Sequence, residues 1–164
     1  THTTYLRFAE YNKLCLARYL KRYKAWCSME KYVLELSNGI IVSPTLSQVS
    51  VSSKNDVIKN DMKNGYVWYS LASVYLKDTE ISISFCFLNN NLMSFRIGLI
   101  NKEKYGGSSW SDFSEVKEKQ RAKDTEKWLN ESGIKKECTW GRFSFGYDAK
   151  SASGAAVVYI IDAL

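Results

Sequence analysis

Few side chains in this chain are of the types that most often carry out catalysis near neutral pH. The single histidine, His2, is the second residue, and histidine is the side chain whose unperturbed pKa lies nearest to neutrality. The sequence has no Cys-x-x-Cys pair, no phosphate loop ending in Gly-Lys-Ser/Thr and no nucleophile elbow. This inventory predicts a protein that binds rather than catalyses, with no cofactor and no metal ion.

Carboxylates and lysines are the remaining groups that could support a reaction. The acidic candidates lie in polar contexts typical of helices, where a surface role or a helix cap explains them: Asp56 with Asp61, and Asp112 with Glu115. Ser114 and Lys117 have the Ser-x-x-Lys spacing, but inside a predicted helix rather than in a glycine-flanked turn. An enzyme built on these groups would need a deep pocket in which they converge, so enzymatic activity is the minor alternative.

Positive charge is concentrated at the start of the chain. Residues 1–31 hold seven Lys and Arg against two Asp and Glu, which leaves only +1 of the total +6 for the rest. The segment from Thr4 to Cys27 predicts an amphipathic helix that carries Arg18, Lys21 and Arg22 on its polar side. That side could be a solvated face, a contact surface for an acidic protein, or a nucleic-acid or lipid surface. The tyrosines of this segment share its apolar stripe, which favours a core position and argues against base stacking.

Length and composition predict one domain over residues 1–164. The chain weighs 18.8 kDa, is 45% hydrophobic and contains one proline, Pro44, so one core and no proline-rich linker are expected. Apolar runs such as residues 155–161 are far shorter than the roughly 20 residues of a membrane span. The four cysteines lie among apolar neighbours, which favours reduced thiols and a cytoplasmic location. Two disulfides in an exported protein are the alternative.

Hydrophobic periodicity predicts an α+β fold, with a mainly antiparallel sheet of about five to seven strands, an N-terminal helix and a long charged helix packed against the sheet. Hairpins are predicted around Asn38-Gly39, around residues 89–91 and between residues 138 and 161, the last of these supplying a central strand. Residues 43–53 are predicted to form a loop that could hold a short strand at 48–51, and residues 66–76 a strand with a break near Ala72. Two further helices are predicted: a short one over 54–64 capped by Gly65, and a long one over 109–132 that begins at Ser109 and ends at Gly133.

The last helix and the loop that follows it supply the other candidate surface. Trp110, Phe113 and Val116 are expected to dock the start of the helix onto the sheet. Tyr147, Asp148 and Lys150 lie at the mouth of the final hairpin loop, where an aspartate turn would hold the corner. Gly141 and Gly146 alternate with aromatic residues, which predicts a close backbone approach or a bulge. We take Trp110, Tyr147, Asp148 and Lys150, together with the basic residues of the first helix, as candidate partner-binding residues.

A string of motifs in the second half of the chain resembles a layout found in small bacterial proteins. A charged helix starts with Ser109-Trp110-Ser111-Asp112 and ends with Trp128-Leu129, and is followed by Trp140-Gly141, by Gly146-Tyr147-Asp148-Ala149-Lys150 and by an apolar terminal strand. Over roughly residues 80–162 this resembles immunity proteins of bacterial toxin–immunity systems, including contact-dependent growth inhibition. The resemblance implies a cytoplasmic protein that neutralises a cognate toxin domain by tight binding, with no catalytic residue. The positive charge would favour a toxin with an acidic surface patch.

Overall fold

The computed structural model describes residues 34–107 and 109–161. From Leu34 onward the chain forms one compact unit. The predicted helix over 4–27 and the first 33 residues of the single-domain prediction lie outside the described residues.

Strands and helices alternate irregularly along the described part of the chain. The strands are β1 (Leu34–Glu35), β2 (Ile41–Val42), β3 (Val57–Asp61), β4 (Tyr66–Leu76), β5 (Thr79–Leu88), β6 (Asn91–Leu99), β7 (Gly141–Asp148) and β8 (Ser153–Ile160). The helices are α1 (Gln48–Ser52), α2 (Lys102–Tyr105), α3 (Glu115–Glu131) and α4 (Ile134–Glu137), with a single 3-10 turn over Trp110–Asp112.

Six of these strands form one antiparallel sheet in the order β3-β4-β5-β6-β8-β7. β1 and β2 form a separate small hairpin around Asn38 and Gly39, as predicted. β8 lies between β6 and β7, so the prediction of a central final strand is also confirmed. The α+β class with a mainly antiparallel sheet is therefore the fold of the described chain.

One face of the sheet carries the core. β5 and β6 alternate apolar with small or polar residues, and the fully buried rings of Phe85, Phe87 and Phe95 point to the same face. α3 packs across β6, β7 and β8 on this face. Only Ala122, Thr125 and Leu129 of α3 are buried, so the long charged helix packs against the sheet, as predicted, through a narrow stripe of its surface.

The prediction of a short helix over 54–64 is wrong, because this segment contains strand β3. All but the first of its residues are exposed, since β3 is an edge strand paired only with β4. An exposed edge strand needs no apolar alternation, so its sequence could be taken for a polar helix. Gly65, with φ of +90°, lies in the turn between β3 and β4 rather than at a helix end.

The prediction for residues 43–53 is also wrong in part, because residues 48–52 form helix α1 instead of a loop or strand. Ser47 caps the helix, its side chain accepting a hydrogen bond from the Ser50 amide at 3.2 Å. Val51 is fully buried and anchors the turn to the core. Burial of one side chain and a serine cap together outweigh the β propensity of the two valines.

The long helix begins later than predicted. Ser109 caps only the 3-10 turn, Phe113 has an extended backbone, and Ser114 caps α3. The end of the helix is as predicted, because Leu129 is buried and Gly133 adopts φ of +77° directly after the last turn. The expected docking of the helix start is wrong, since the apolar residues there are exposed.

Side chains of α3 complete the sheet where β6 and β8 separate. The β6–β8 ladder ends at the pair Ile97 and Ala156, although both strands continue. Beyond it the Leu99 amide donates to Thr125 Oγ1 at 3.3 Å, the Leu99 carbonyl accepts from Arg121 Nε at 2.7 Å, and the Gly154 amide donates to Glu118 Oε2 at 2.8 Å. These three contacts replace strand-to-strand hydrogen bonds.

The two glycines of β7 differ in their surroundings. A Cβ on Gly141 would overlap Cγ1 of Val158, so the predicted close approach is confirmed there. Nothing lies within 4 Å of the corresponding position on Gly146, and β7 pairs with β8 without a bulge. For Gly146 the prediction is wrong.

Candidate functional site

The most exposed aromatic side chain in the described part of the chain marks one surface. Trp110 is 81% exposed, Val116 77% and Phe113 41%. The rings of Trp110 and Phe113 lie 5.9 Å apart between centroids. We call these three residues the Trp110 patch.

Local backbone chemistry turns the Trp110 patch outward. The Ser109 side chain accepts a hydrogen bond from the Ser111 amide at 3.2 Å, and the Ser114 side chain accepts from the Lys117 amide at 3.4 Å. Two caps in succession force the chain to leave one helical turn and enter another with Phe113 extended between them. The apolar side chains before α3 are therefore held away from the sheet.

The turn between β7 and β8 lies beside the Trp110 patch. Trp110 and Phe113 line a hollow of about 210 Å³ together with residues 151–153 of this turn. Close to the same end of α3, Lys119 forms an ion pair of 2.6 Å with Glu115 and lies 5.8 Å from the centroid of the Tyr147 ring. The hydrogen bond that Lys119 donates to the Glu115 carboxylate raises the pKa of Lys119.

Asp148 holds the corner of the final hairpin, as the sequence predicts. Its carboxylate accepts hydrogen bonds from the Lys150 amide at 3.0 Å and from Ser151 Oγ at 2.8 Å. These bonds, and the nearby Arg96 guanidinium at 3.5 Å, lower the pKa of Asp148. Asp148 is therefore engaged in the fold, whereas the side chain of Lys150 is exposed.

The candidate residues fall on different surfaces. Tyr147 lies on the helix-covered face, together with its register partner Gly154, which touches α3. Asp148 and its contact Arg96 lie on the opposite face of the sheet. Trp110 and the turn after Lys150 share one hollow. The basic residues predicted on the first helix, Arg18, Lys21 and Arg22, lie outside the described residues.

The opposite face of the sheet carries a second concave region, and two of the predicted candidates, Tyr147 and Asp148, are among the residues that line it. Trp68, Ser94, Arg96, Ser144 and Tyr159 are among the residues that line a groove of about 430 Å³. These residues come from β4, β6, β7 and β8, so only strand register brings them together. We call it the Arg96 groove.

A third polar cluster joins two helices. Asp124 accepts hydrogen bonds from Tyr105 Oη at 2.6 Å and Gln120 Nε2 at 2.9 Å, and forms an ion pair of 2.7 Å with Lys104. These contacts, led by Lys104, lower the pKa of Asp124 to about 2. Burial and the same carboxylate raise the pKa of Tyr105. The cluster fixes α2 against α3 and offers no open coordination or nucleophilic position.

The possible metal ligands and the cysteines of the described residues were compared with what metal binding and thiol chemistry require. Residues 34–107 and 109–161 contain no group of three His, Cys, Asp or Glu side chains that could hold a metal ion. Cys86 and Cys138 are buried free thiols, and burial raises the pKa of both, that of Cys138 to about 12. None of the described helices is both long and apolar enough to span a membrane.

No family model matches this chain, and neither curated proteins nor solved structures provide a match.

Proposed function

We propose that this chain is a non-enzymatic protein-binding module, and that it acts as a bacterial immunity protein that neutralises a cognate toxin in the cytoplasm by tight binding. The exposure of the Trp110 patch is the observation that carries the proposal. Trp110 is 81% exposed and its contact is with Phe113 of the same patch, and contiguous exposed apolar patches mark protein-contact sites.

The composition of the Trp110 patch favours a protein partner. Tryptophan is the residue type most enriched among the few side chains that dominate binding energy at interfaces, and such residues act best when a rigid scaffold presents them. Here the two serine caps hold the backbone on either side of the ring. The hollow beside the ring could accept a side chain of the partner.

Three exposed lysines near the patch favour acidic groups on the partner, and the exposed carboxylates of Asp112 and Glu115 lie beside them. Lys117, Lys119 and Lys150 are exposed near this end of α3 and the final turn, and of these only Lys119 is paired with a carboxylate among the described residues. The chain as a whole carries +6. Opposite charge on the partner would accelerate association and orient it.

The test is a toxicity-rescue experiment. The C-terminal domain of the protein encoded immediately upstream of this chain is expressed in bacteria with the wild-type chain or with Trp110→Ala. We expect the wild type to restore growth and the variant to bind at least 30-fold more weakly, the loss typical of an interfacial hot spot (about 2 kcal/mol). Calorimetry with the purified domain measures the affinity.

A matched pair of valine variants distinguishes loss of binding at the Trp110 patch from loss of binding caused by destabilising the fold. Val116→Asp lies in the Trp110 patch, whereas Val49→Asp changes a valine of similar exposure, 72%, on α1. We expect only Val116→Asp to weaken binding and both variants to keep the wild-type melting temperature. A neighbouring gene without a toxic product, or equal binding by all four proteins, would refute the proposal.

A further inference from the structure

The Arg96 groove contains a cation whose hydrogen-bonding capacity is largely unused. The Arg96 side chain is only 22% exposed, and its sole side-chain hydrogen bond within the described chain is a long one, 3.5 Å from Nη2 to Asp148 Oδ2. Its Nε is buried and has no acceptor. A buried donor without an acceptor is unfavourable, and an oxyanion that reached the guanidinium would supply charge-assisted hydrogen bonds in its place.

Strand register places aromatic rings on both sides of a floor of small side chains. One row across the sheet reads Trp68, Cys86, Ser94, Tyr159 and Arg142. Three strand spacings separate Trp68 from Tyr159, which is about 14 Å. Cys86 and Ser94 between them are small and buried, and Ser94 lines the groove, so the sheet surface between the two aromatic side chains is low.

The adjacent row brings polar groups to the same floor. Arg96 is followed across the sheet by Val157 and Ser144. The Arg142 guanidinium lies 5.7 Å from the centroid of the Tyr159 ring and forms no ion pair within the described chain. Arg96 is therefore the arginine that lines the groove, Arg142 lies beside Tyr159 at its edge, and the one carboxylate in the lining, Asp148, is already bound by its own turn.

We propose that the Arg96 groove is a binding site for a nucleotide, with the phosphate held by Arg96 and the base stacked against Tyr159. Guanidinium groups bind phosphate with good geometry, and aromatic rings stack on bases without regard to sequence. The volume of about 430 Å³ lies within the usual range for small-ligand sites. This site is separate from the Trp110 patch and does not depend on the proposed partner.

The test uses the full chain and adenosine 5′-monophosphate as the probe. Titrations followed by ¹⁵N–¹H spectra compare this nucleotide with adenosine and with inorganic phosphate. We expect shifts confined to signals of the groove, and affinity for the nucleotide at least tenfold above that for either fragment. No shift up to 10 mM, or equal affinity for inorganic phosphate, would overturn the proposal.

Two matched variant pairs identify the groups involved. Arg96→Gln and Tyr159→Ala should each weaken nucleotide binding at least tenfold. The control for Arg96→Gln is Lys123→Gln, which removes one positive charge on the outer side of α3. The control for Tyr159→Ala is Tyr75→Ala on β4, which removes a ring of similar exposure. Both controls should leave the affinity for the nucleotide unchanged. If Arg96→Gln does not fold, as judged by circular dichroism, the tyrosine pair decides. Tenfold tighter binding of a thymidine octamer would overturn the mononucleotide assignment in favour of single-stranded nucleic acid.

Discussion

At the scale of single residues, Asp124 joins two helices through one carboxylate. One carboxylate holds Lys104 and Tyr105 of α2 and Gln120 of its own helix. Its pKa falls from 3.8 to about 2 in the folded chain. Because the folded pKa is the lower one, the stabilisation is fully present above pH 3.8 and is lost as the pH falls toward 2.

The variant Asp124→Asn tests this directly. At pH 7 we expect it to lower the free energy of unfolding by about 1 to 2 kcal/mol, because three partners lose a charged acceptor. The difference from wild type should shrink as the pH is reduced from about 4 to 2 in urea-unfolding measurements. Asp78→Asn, at an exposed turn position, is the matched control. A difference that stays constant over this range would contradict the assigned role.

Sequence reasoning identified some of these residues and not others. The aspartate turn at Asp148 was predictable because its partners lie two and three residues away. The exposure of Trp110 is not predictable in this way, because it depends on which of two serines caps the long helix. The Arg96 groove and the Asp124 cluster combine residues from distant parts of the chain, and no local pattern in the sequence indicates such contacts.

At the scale of elements, the contact between α3 and β8 depends on a missing side chain. A Cβ on Gly154 would overlap the Glu118 carbonyl oxygen of the helix. The same approach lets the Glu118 side chain accept a hydrogen bond from the Gly154 amide. Any larger residue would push the helix away from the sheet, and the contacts of Arg121 and Thr125 with Leu99 would lengthen as well.

A pair of glycine variants measures the importance of this approach. Gly154→Ala should lower the free energy of unfolding by about 3 kcal/mol, the upper part of the range for overpacking. Gly146→Ala, where nothing lies within 4 Å of the added carbon, should change it by less than about 0.5 kcal/mol. Urea unfolding of both variants supplies the comparison. Equal effects would mean that the close packing is not needed.

Element prediction succeeded where burial imposes a pattern. The β5–β6 hairpin was predicted because its alternation of apolar and small residues follows from having one covered face. The break near Ala72 appears as a register shift between Leu71 and Val74. Strand β3 was missed because its pairing with β4, rather than burial of its own side chains, stabilises it. The short helices α2 and α4 lack a periodic signal of sufficient length.

At the scale of the whole molecule, net charge should govern how fast the proposed partner is found. The described residues hold 16 Lys and Arg against 14 Asp and Glu, so most of the +6 belongs to the first 31 residues. Long-range attraction affects association rates, whereas short-range packing around a buried anchor affects dissociation. The contribution of net charge to the association rate and that of the Trp110 patch to the dissociation rate can therefore be measured separately.

Stopped-flow or surface-based kinetics with the proposed toxin domain measure association and dissociation rates separately. Raising the salt concentration from 50 to 500 mM should slow association of the wild-type chain about tenfold, with little change in dissociation. Trp110→Ala should instead accelerate dissociation and keep the same salt dependence of association. An association rate that is insensitive to salt would contradict the expected acidic partner surface.

The position of β8 between β6 and β7 constrains the order in which the chain can assemble. Strands β3 to β6 are consecutive in the chain and adjacent in the sheet, so they can pair one after another while synthesis continues. β7 has no place in the sheet until β8 has emerged and paired with β6, so a ribosome paused before residue 153 would leave its aromatic residues uncovered. During that interval a chaperone, rather than the native fold, would have to shield them.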